Sequence, residues 1–214
     1  MSFKVLNIND ERWQQCFNSL PLSEQDVFYS PGFAKLQQKY LNPYDEVKCA
    51  VFFNNDEVLL YPFVLRLLDR FISQVEIRGL YDITSLYGRG GIVGTATEFN
   101  IKIFHASLEK YLLGCNVLCA FDRFHPIILN ETLALKNTEV RETGDFVSVD
   151  LRPGIHAVLS TFKRSVRKDL KKAERNRVQC FYEQSCDHLD DFLEIYQSTM
   201  DRKSAEIFYY FSED

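Results

Sequence analysis

The chain has 214 residues, of which 46% are hydrophobic, 26% charged and 14% aromatic, with 9 Gly and 6 Pro. This composition excludes disordered and collagen-like proteins and suffices for a sizeable hydrophobic core. The first 15 residues carry acids and amides instead of a basic start and an apolar segment, so we expect no secretory signal and a cytoplasmic protein. The most apolar stretch, residues 58–68, contains Arg66 and falls short of the roughly 20 residues that span a bilayer, so no integral membrane segment is predicted.

The cysteines and histidines indicate no metal site and no disulfide framework. The six cysteines, at positions 16, 49, 115, 119, 180 and 186, include no C-x-x-C pair, and the four histidines are scattered singly. A free cysteine behaves as a small hydrophobe, so each of these thiols is expected to be buried.

The net charge of −5 conceals one strongly basic segment. Residues 151–180 contain nine Lys or Arg and two acidic residues, which gives this segment +7 and leaves −12 for the rest of the chain. Phosphates are natural ligands for such a segment. A protein that binds nucleic acid through its overall charge is disfavoured, because the positive charge is confined to this one stretch.

The first 80 residues predict two helices followed by an antiparallel meander. Residues 4–8 alternate as a short strand and precede helical spacing around Trp13. Ser30 and Pro31 are a suitable N-cap and first-turn residue for a second helix. Residues 47–54 and 57–68 are rich in β-formers around an Asn-Asn-Asp turn, and a third strand is predicted at residues 72–78.

The remaining residues predict a helix at 98–113 and strands at 117–121 and 146–151. Together with the earlier elements, this order predicts an α+β fold in which helices flank a mixed, largely antiparallel sheet. One long basic helix then follows, with an apolar stripe formed by Leu159, Phe162, Val166, Leu170 and Ala173. A strand at 178–183 and a helix at 189–200 repeat the opening of the chain and indicate a second copy of the fold.

Five stretches, in the same order along nearly the whole chain, resemble FemAB-like transferases and the related acetyltransferase-domain proteins of cell-envelope and polysaccharide biosynthesis. They are YSPGFAKL from Tyr29, YPF from Tyr61, DITSLYGRGG from Asp82, RFHP from Arg123 and SVRKDLKKAERNR from Ser165. The resemblance implies a GNAT-like domain at residues 1–154, a basic connecting helix at 155–177 and the start of a second, incomplete GNAT-like repeat at 178–214.

The resemblance also implies an activity, namely transfer of an acyl or aminoacyl group to an amine or hydroxyl of a cell-envelope sugar or peptidoglycan precursor. Acyl-CoA or aminoacyl-tRNA would be the donor co-substrate, with no permanently bound cofactor, and a nucleotide- or lipid-linked sugar or peptide precursor would be the acceptor. The family's chains are longer, so the apolar residues after 178 are expected to pack on the first domain, on a partner chain or on nothing. The partner would be a second copy in a homo-oligomer or a missing C-terminal domain. The alternative function is a non-catalytic GNAT-like module that binds a phosphorylated ligand or a partner chain.

Two loops contain candidate substrate-binding residues. Tyr87, Arg89, Gly90 and Gly91 belong to a glycine-rich loop in which positive φ angles permit close approach of a ligand to the backbone beside a cation. A tight loop with a solvated Arg89 is the alternative, and related sequences often carry an aromatic residue at this position. The usual acetyl-CoA loop of GNAT-fold proteins, a basic residue followed by x-x-G-x-G or x-x-G-x-A, is absent from the sequence.

The second loop begins where the strand at 117–121 ends. Its Arg123 is a candidate ligand-binding cation, and His125 is the candidate catalytic acid or base. The alternative is structural: His125 precedes a proline and is restricted to an extended backbone, and Arg123 pairs with one of the many acids.

The basic helix contributes Arg167, Lys168, Lys171 and Arg175, whose spacing gathers them on one side as a predicted phosphate-binding face. The alternative is a solvated face that pairs with the acidic remainder. The sequence contains no recognisable Ser-His-Asp or Cys-His arrangement, so direct transfer within a ternary complex is expected rather than a covalent enzyme intermediate.

Overall fold

The computed structural model of the chain describes residues 2–54, 56–70, 78–182 and 185–210. The strands found in these residues are β1 (Ser2–Asn7), β2 (Glu46–Asn54), β3 (Glu57–Leu67), β4 (Tyr81–Thr84), β5 (Val93–Thr95) and β6 (Val117–Phe121). They form one open sheet in the order β1-β2-β3-β4-β6, with β5 paired to β3. Every pairing is antiparallel except that of β4 with β6, which is parallel.

Three helices flank this sheet, namely α1 (Glu11–Asn18), α2 (Pro31–Lys39) and α3 (Glu98–Gly114). Short 3-10 turns lie at Leu22–Glu24, Val27–Tyr29, Leu68–Arg70 and Asn130–Leu133. The α+β prediction, with a mixed and largely antiparallel sheet between helices, is confirmed. Ser30 caps α2 as predicted, because its Oγ accepts a hydrogen bond from the N–H of Phe33 at 3.2 Å, and Pro31 is the first helical residue.

Alternation along the strands produces two hydrophobic clusters, one on each face of the sheet. On the first face, Trp13, Tyr29 and Ala34 pack over residues of β2 and β3, and the indole Nε1 of Trp13 donates to the carbonyl of Tyr29 at 3.0 Å. On the second face, α3 provides Phe104 and Leu108, both fully buried. Burial of an aromatic or leucine side chain stabilises a fold by about 1.5–3 kcal/mol, so these two clusters hold the helices to the sheet.

Sequence analysis did not predict β4 and β5, and both omissions have a physical reason. Strand β4 has four residues and includes the polar Asp82, whose carboxylate accepts two hydrogen bonds from Arg66 of β3, at 2.9 and 2.6 Å. Strand β5 has three residues, with Gly94 at its centre. Such short strands contain too few alternating positions to give a periodic pattern. Most of the strand predicted at residues 72–78 lies outside the described residues.

The chain divides into two compact units, Met1–Phe146 and Val147–Asp214. The second unit contains helices α4 (Ile155–Thr161), α5 (Arg164–Arg175) and α6 (Leu189–Lys203). The helix predicted at 189–200 is confirmed as α6. Within the described residues of this unit, Val158 is the one buried hydrophobic residue.

The prediction of one continuous basic helix is wrong, because the backbone is extended at Phe162 and Lys163, between α4 and α5. The hydroxyl groups of Ser160 and Thr161 donate to the carbonyls of Ala157 and Val158, at 2.6 and 2.7 Å. The helix is weakened at this point because these hydroxyls hydrogen-bond to the preceding turn. The β-branched Thr161 and the aromatic Phe162 also have low helix propensity.

The strands predicted at 146–151 and at 178–183 are also wrong for the residues that the structure describes, which have no strand pairing. Val147 and Leu151 are 86% and 74% exposed, so the alternating pattern there has no second strand against which to pack. The guanidinium of Arg152 instead donates to both carboxylate oxygens of Asp150, at 2.8 Å each.

The prediction that all six cysteines are buried is confirmed for Cys16 and Cys49 alone. Cys115 is half-buried, and Cys119, Cys180 and Cys186 are exposed. Cys119 lies on β6, which is the last strand in the sheet formed by the described residues. Separately, none of the helices in the described residues combines the length and apolarity needed to span a membrane.

Candidate functional site

The candidate site lies where β4 and β6 end. Because these strands are parallel, the loops that follow them leave from the same edge of the sheet. The N–H of Ser85 donates to the carbonyl of Phe121 at 3.1 Å, and the N–H of Gly90 donates to the carbonyl of Arg123 at 2.8 Å. The structure therefore brings the glycine-rich loop, with Tyr87, Arg89, Gly90 and Gly91, beside the loop that carries Arg123 and His125.

Asn130 joins the two loops from within. Its Nδ2 donates to the carbonyls of Gly90 and Ile92, at 2.9 and 3.0 Å, and lies 3.2 Å from the hydroxyl of Tyr29. Its Oδ1 accepts the N–H of His125 at 2.8 Å. Asn130 is buried, and removing one partner from a buried hydrogen-bonded group leaves the others unsatisfied, so this side chain fixes the shape of both loops.

Tyr29 completes this buried network from the other side of the loops. Its hydroxyl donates to the carbonyl of Gly90 at 3.0 Å, and the ring is fully buried. Burial raises the pKa of Tyr29 far above its usual value, so the phenol stays protonated and serves as a neutral donor.

His125 is held in a structural position. Its Nδ1 accepts the N–H groups of Ile127 and Ile128, at 3.2 Å each, so the ring proton resides on Nε2. That Nε2 faces Oδ2 of Asp26 at 3.5 Å, and the other oxygen of Asp26 caps the 3-10 turn at Val27–Tyr29. Both ring nitrogens are therefore occupied by turn contacts, and the geometry favours the structural alternative for His125.

The glycines of the first loop make room for neighbouring side chains. A Cβ on Gly88 would lie 2.4 Å from the ring of Phe28, and one on Gly91 would lie 2.7 Å from Nδ2 of Asn130. Both have positive φ angles, 102° and 88°, that favour glycine. A Cβ on Gly90 would lie 2.5 Å from Ser85. Close packing of the loop on the protein thus explains these glycines, and Gly90 and Gly91 are buried.

Tyr87, Arg89 and Arg123 are more accessible to solvent than Gly90 and Gly91. Tyr87 is 54% exposed, and its N–H donates to Oε1 of Gln37 on α2 at 2.6 Å. The guanidinium of Arg89 lies 6.0 Å from the ring centroid of Phe146, at the limit of a cation–π contact. Arg123 is exposed, and no ion pair joins Arg89 or Arg123 to an acid within the part of the chain that the structure describes.

Asp122 was not a candidate from sequence, yet it is an ionisable group with a shifted pKa at this edge. Its Oδ2 accepts the hydroxyl of Tyr61 at 2.9 Å, and its Oδ1 accepts the hydroxyl of Ser85 at 3.0 Å. Burial raises the pKa of Asp122 above its usual value, against the opposing effect of these two hydroxyls and of the neighbouring Gly91 N–H.

The four predicted phosphate ligands of the basic segment lie on α5, in the second unit. Arg167, Lys168, Lys171 and Arg175 are exposed, and no ion pair involves them among residues 185–210 or the other described ranges. At about 100° per residue, these side chains occupy an arc opposite Val166, Leu170 and Ala173. The acids Asp169 and Glu174 fall outside that arc, so one side of α5 is uninterruptedly cationic.

The residues that sequence analysis missed share one property, since each acts through a partner that is distant in sequence. They are Asp26, Tyr29, Tyr61, Ser85, Asp122 and Asn130. Tyr29, Tyr61 and Ser85 lie inside the stretches that carry the family resemblance, and Asp122 directly precedes another, so those stretches could have directed attention to them.

In the described ranges, no three His, Cys, Asp or Glu side chains converge to hold a metal ion. Comparisons with family models, with curated proteins and with solved structures find no match to this chain.

Proposed function

We propose that the chain is an acyl- or aminoacyl-transferase of the FemAB-like kind, built on a GNAT-like fold, with the start of a second GNAT-like repeat after residue 177. The α+β architecture, with its mixed and mostly antiparallel sheet between helices, is compatible with that fold. The five stretches of sequence resemblance supply the family and the reaction class, namely transfer to an amine or hydroxyl of a cell-envelope sugar or peptidoglycan precursor.

The observation that carries the proposal is the meeting of two loops at the carboxyl ends of β4 and β6. Ligands of sheets that contain parallel strands bind in the crevice outside those ends, where loops diverge from a rigid scaffold. Here the loops present the exposed cation Arg123, the half-buried Arg89 and the exposed ring of Tyr87. Cations that pair with no acid among the described residues suit a phosphate or carboxylate of a substrate.

The chemistry of the proposed reaction is transfer without a covalent enzyme intermediate. The acceptor's nitrogen or oxygen attacks the carbonyl carbon of the donor, and the carbonyl oxygen gains negative charge. The carbonyl then re-forms as the donor's ester or thioester bond breaks, and the proton that the acceptor loses is taken up by the departing alkoxide or thiolate. The protein supplies positioning and stabilisation of the oxyanion. His125 contacts turn amides and Asp26 rather than a hydroxyl or thiol, which agrees with the lack of a nucleophile–base pair.

The cationic side of α5 is assigned to the polyanionic part of a substrate in this proposal. Its four exposed cations suit a nucleotide- or lipid-linked sugar phosphate, or the phosphates of an aminoacyl-tRNA donor. Acyl-CoA is the other donor, also a phosphate-bearing molecule. None of these is expected to remain permanently bound.

A non-catalytic module that binds a phosphorylated ligand or partner chain is the second candidate. It is favoured by one observation, the tight packing of Gly90 and Gly91 against Ser85, Phe124 and Asn130, which leaves their backbone little access to a ligand. In that case Arg123, or separately the cationic side of α5, would bind a ligand with no reaction following.

The test is a transfer assay with separately varied donors and acceptors. The chain is incubated with acetyl-CoA or a charged tRNA, together with a nucleotide-linked amino sugar, and the product is detected by mass spectrometry. We expect a product mass increased by the acyl group, and Arg123→Gln should reduce turnover about tenfold or more through loss of one charge-assisted contact. Arg141→Gln, at an exposed site, is the matched control. Phosphate-ligand binding by thermal shift without any transfer would support the non-catalytic module instead.

A further inference from the structure

When ionised, Asp122 carries a negative charge that no cation neutralises among the described residues. The hydroxyls of Tyr61 and Ser85, which donate to it, are neutral, and no ion pair includes this carboxylate. The contrast is Asp82 on the neighbouring β4, whose carboxylate is paired with Arg66 in a two-point contact. Withdrawing a carboxylate from water is costly unless it is paired, so the half-buried, ionised Asp122 is in a state that a cation would stabilise.

The carboxylate also has room for a further donor. An ionised carboxylate offers about four lone-pair positions, and the hydroxyls of Tyr61 and Ser85 fill two of them. Asp122 is half-buried rather than fully enclosed, and it is the first residue after β6, at the edge where the two loops meet. Tyr61 and Ser85 hold one oxygen each, so the orientation of the carboxylate towards a further donor is fixed.

We propose that Asp122 binds a primary ammonium group of a ligand at the carboxyl end of β6, with Tyr61 and Ser85 as positioning residues. An ammonium group supplies the missing positive charge and up to three N–H donors. A hydroxyl at the same point would donate one hydrogen bond without any charge, which makes Asp122 selective for amines. The inference rests on the proposed transferase function only where it identifies that amine as the acceptor group.

This assignment narrows the acceptor from an amine or hydroxyl to an amine. The nitrogen must lose a proton before it attacks a carbonyl carbon, and a carboxylate in contact with it can receive that proton while the electron pair of the N–H bond remains on nitrogen. Arg89 and Arg123, on the adjoining loops, are available for an anionic part of the same molecule. An amino sugar linked to phosphate combines these two chemical features.

The experiment is a titration of the whole chain, carrying carboxyl-labelled aspartate, with glucosamine and, in parallel, with glucose. The two probes differ in the amine alone. We expect glucosamine to shift the NMR signal of the Asp122 carboxyl carbon in a saturable manner and glucose to leave it unchanged. Asp122→Asn supplies the signal assignment and should weaken glucosamine binding about tenfold, as loss of one charge-assisted contact implies. Glu109→Gln, which removes a charge from an exposed position of α3, should bind as the parent does.

The parent protein gives a decisive result even if Asp122→Asn fails to fold, because the other aspartate signals can be assigned with variants at exposed positions. Equal responses to both sugars, no response to either, or glucosamine binding that Asp122→Asn does not weaken would each overturn the proposal. Binding of glucosamine at Asp122 without any acyl transfer would support the amine site and contradict the proposed transferase function. Acyl transfer without any response of Asp122 to an amine would support the transferase function and contradict the amine site.

Discussion

Helices α3 and α6 have similar lengths, 17 and 15 residues, and both carry apolar residues at helical spacing, but their apolar side chains have different surroundings. In α3, Phe104 and Leu108 are fully buried in the second hydrophobic cluster. In α6, Phe192 and Ile195 are 60% and 67% exposed. Periodicity therefore identifies which face of a helix is apolar, but the presence of a sheet decides whether that face is buried.

The same contrast applies to the two units as wholes. In Met1–Phe146, two clusters enclose aromatic and aliphatic side chains on both faces of the sheet. In the described residues of Val147–Asp214, Val158 alone is a buried hydrophobic residue. We therefore infer that the stability of the chain originates almost entirely in the first unit, and this can be tested by paired substitutions.

The largest difference is expected between Phe104→Ala and Phe192→Ala. Truncating a fully buried phenylalanine removes its packing and leaves a cavity, which costs about 3–5 kcal/mol. The same truncation at an exposed position should change the free energy of unfolding by no more than about 0.5 kcal/mol. Chemical denaturation of both variants measures these values. Equal losses would contradict the comparison and show that α6 has its own buried contacts.

Hydrogen exchange should separate the two units without any substitution. Amides of β2 and β3 lie at the centre of the sheet, whereas those of α6 belong to a helix with no buried residue. Because opening without loss of buried surface costs little free energy, we expect the α6 amides to exchange at least about a hundredfold faster. Similar slow exchange in both elements of a monomer would require a different division of the chain.

A substitution of the buried, polar Asn130 compares the stability contributions of the two units at a hydrogen-bonding side chain. Asn130→Ala removes four hydrogen-bond contacts inside the first unit and takes away the donor to the Ile92 carbonyl and the acceptor of the His125 N–H, so we expect a loss of about 2–3 kcal/mol. Asn176→Ala, at the exposed C-terminus of α5, is the matched control and should change stability by less than about 0.5 kcal/mol. Unfolding curves measured under one buffer condition compare them. A loss at position 176 as large as that at 130 would contradict the assignment.

Substitutions in the second unit should change the affinity for a ligand rather than the free energy of unfolding. Replacing Arg167 and Lys171 with Gln keeps helix propensity and the apolar side of α5, so the free energy of unfolding should not change. Affinity for a nucleotide sugar or tRNA should fall about tenfold, and the difference should shrink as salt rises. Isothermal titration at two salt concentrations measures both effects.

The control for this double variant is Lys35→Gln with Lys39→Gln on α2, a helix of the first unit. It removes the same number of charges and should leave affinity for the same ligands within about twofold. If the α5 variant binds as the parent does, α5 is a solvated surface, and the phosphate ligands must be sought at Arg89 or Arg123.

The sequence was sufficient to predict the elements that follow a strong periodic pattern and insufficient to predict what each one contacts. Strands β2 and β3 and helix α3 were predicted because alternation or helical spacing continues over eight residues or more. The alternating residues 146–151 failed as a strand, because pairing depends on a neighbour that local pattern does not encode.

The residues of the candidate site likewise divide into those that the sequence predicted and those that it did not. Tyr87, Arg89, Arg123 and His125 were predicted from residue type within loops, and the structure brings those loops together. Asp122 and Asn130 escaped notice because their importance arises from burial and from partners distant in sequence, such as Tyr61 and Gly90. A lone Asp or Asn after a strand is also common as an ordinary turn residue.

The smallest expected effects concern pH and come from two carboxylates of the first unit, Asp10 and Asp122, whose pKa values are shifted in opposite directions. Asp10 receives two hydrogen bonds from the Arg12 guanidinium, which lower its pKa from 3.8 to about 2. The folded state therefore favours the ionised Asp10, which contributes stability above pH 3.8 that is lost as the pH falls towards 2. Asp122 has a raised pKa because of burial, so the folded state favours its protonated form, and stability decreases as the pH rises through that raised value.

The measurement is the free energy of unfolding between pH 3 and pH 7 for the parent, Asp10→Asn and Asp122→Asn. Asn remains a good N-cap for α1, so Asp10→Asn should lose less than about 1 kcal/mol at neutral pH, and that loss should shrink on acidification. For Asp122→Asn the dependence has the opposite direction, because the substitution removes a charge that is unfavourable in the fold: relative to the parent, this variant should become more stable as the pH rises. Parallel pH profiles for the two variants would show that Asp122 is not held in a charge-disfavouring environment and would also remove the physical basis for an ammonium ligand there.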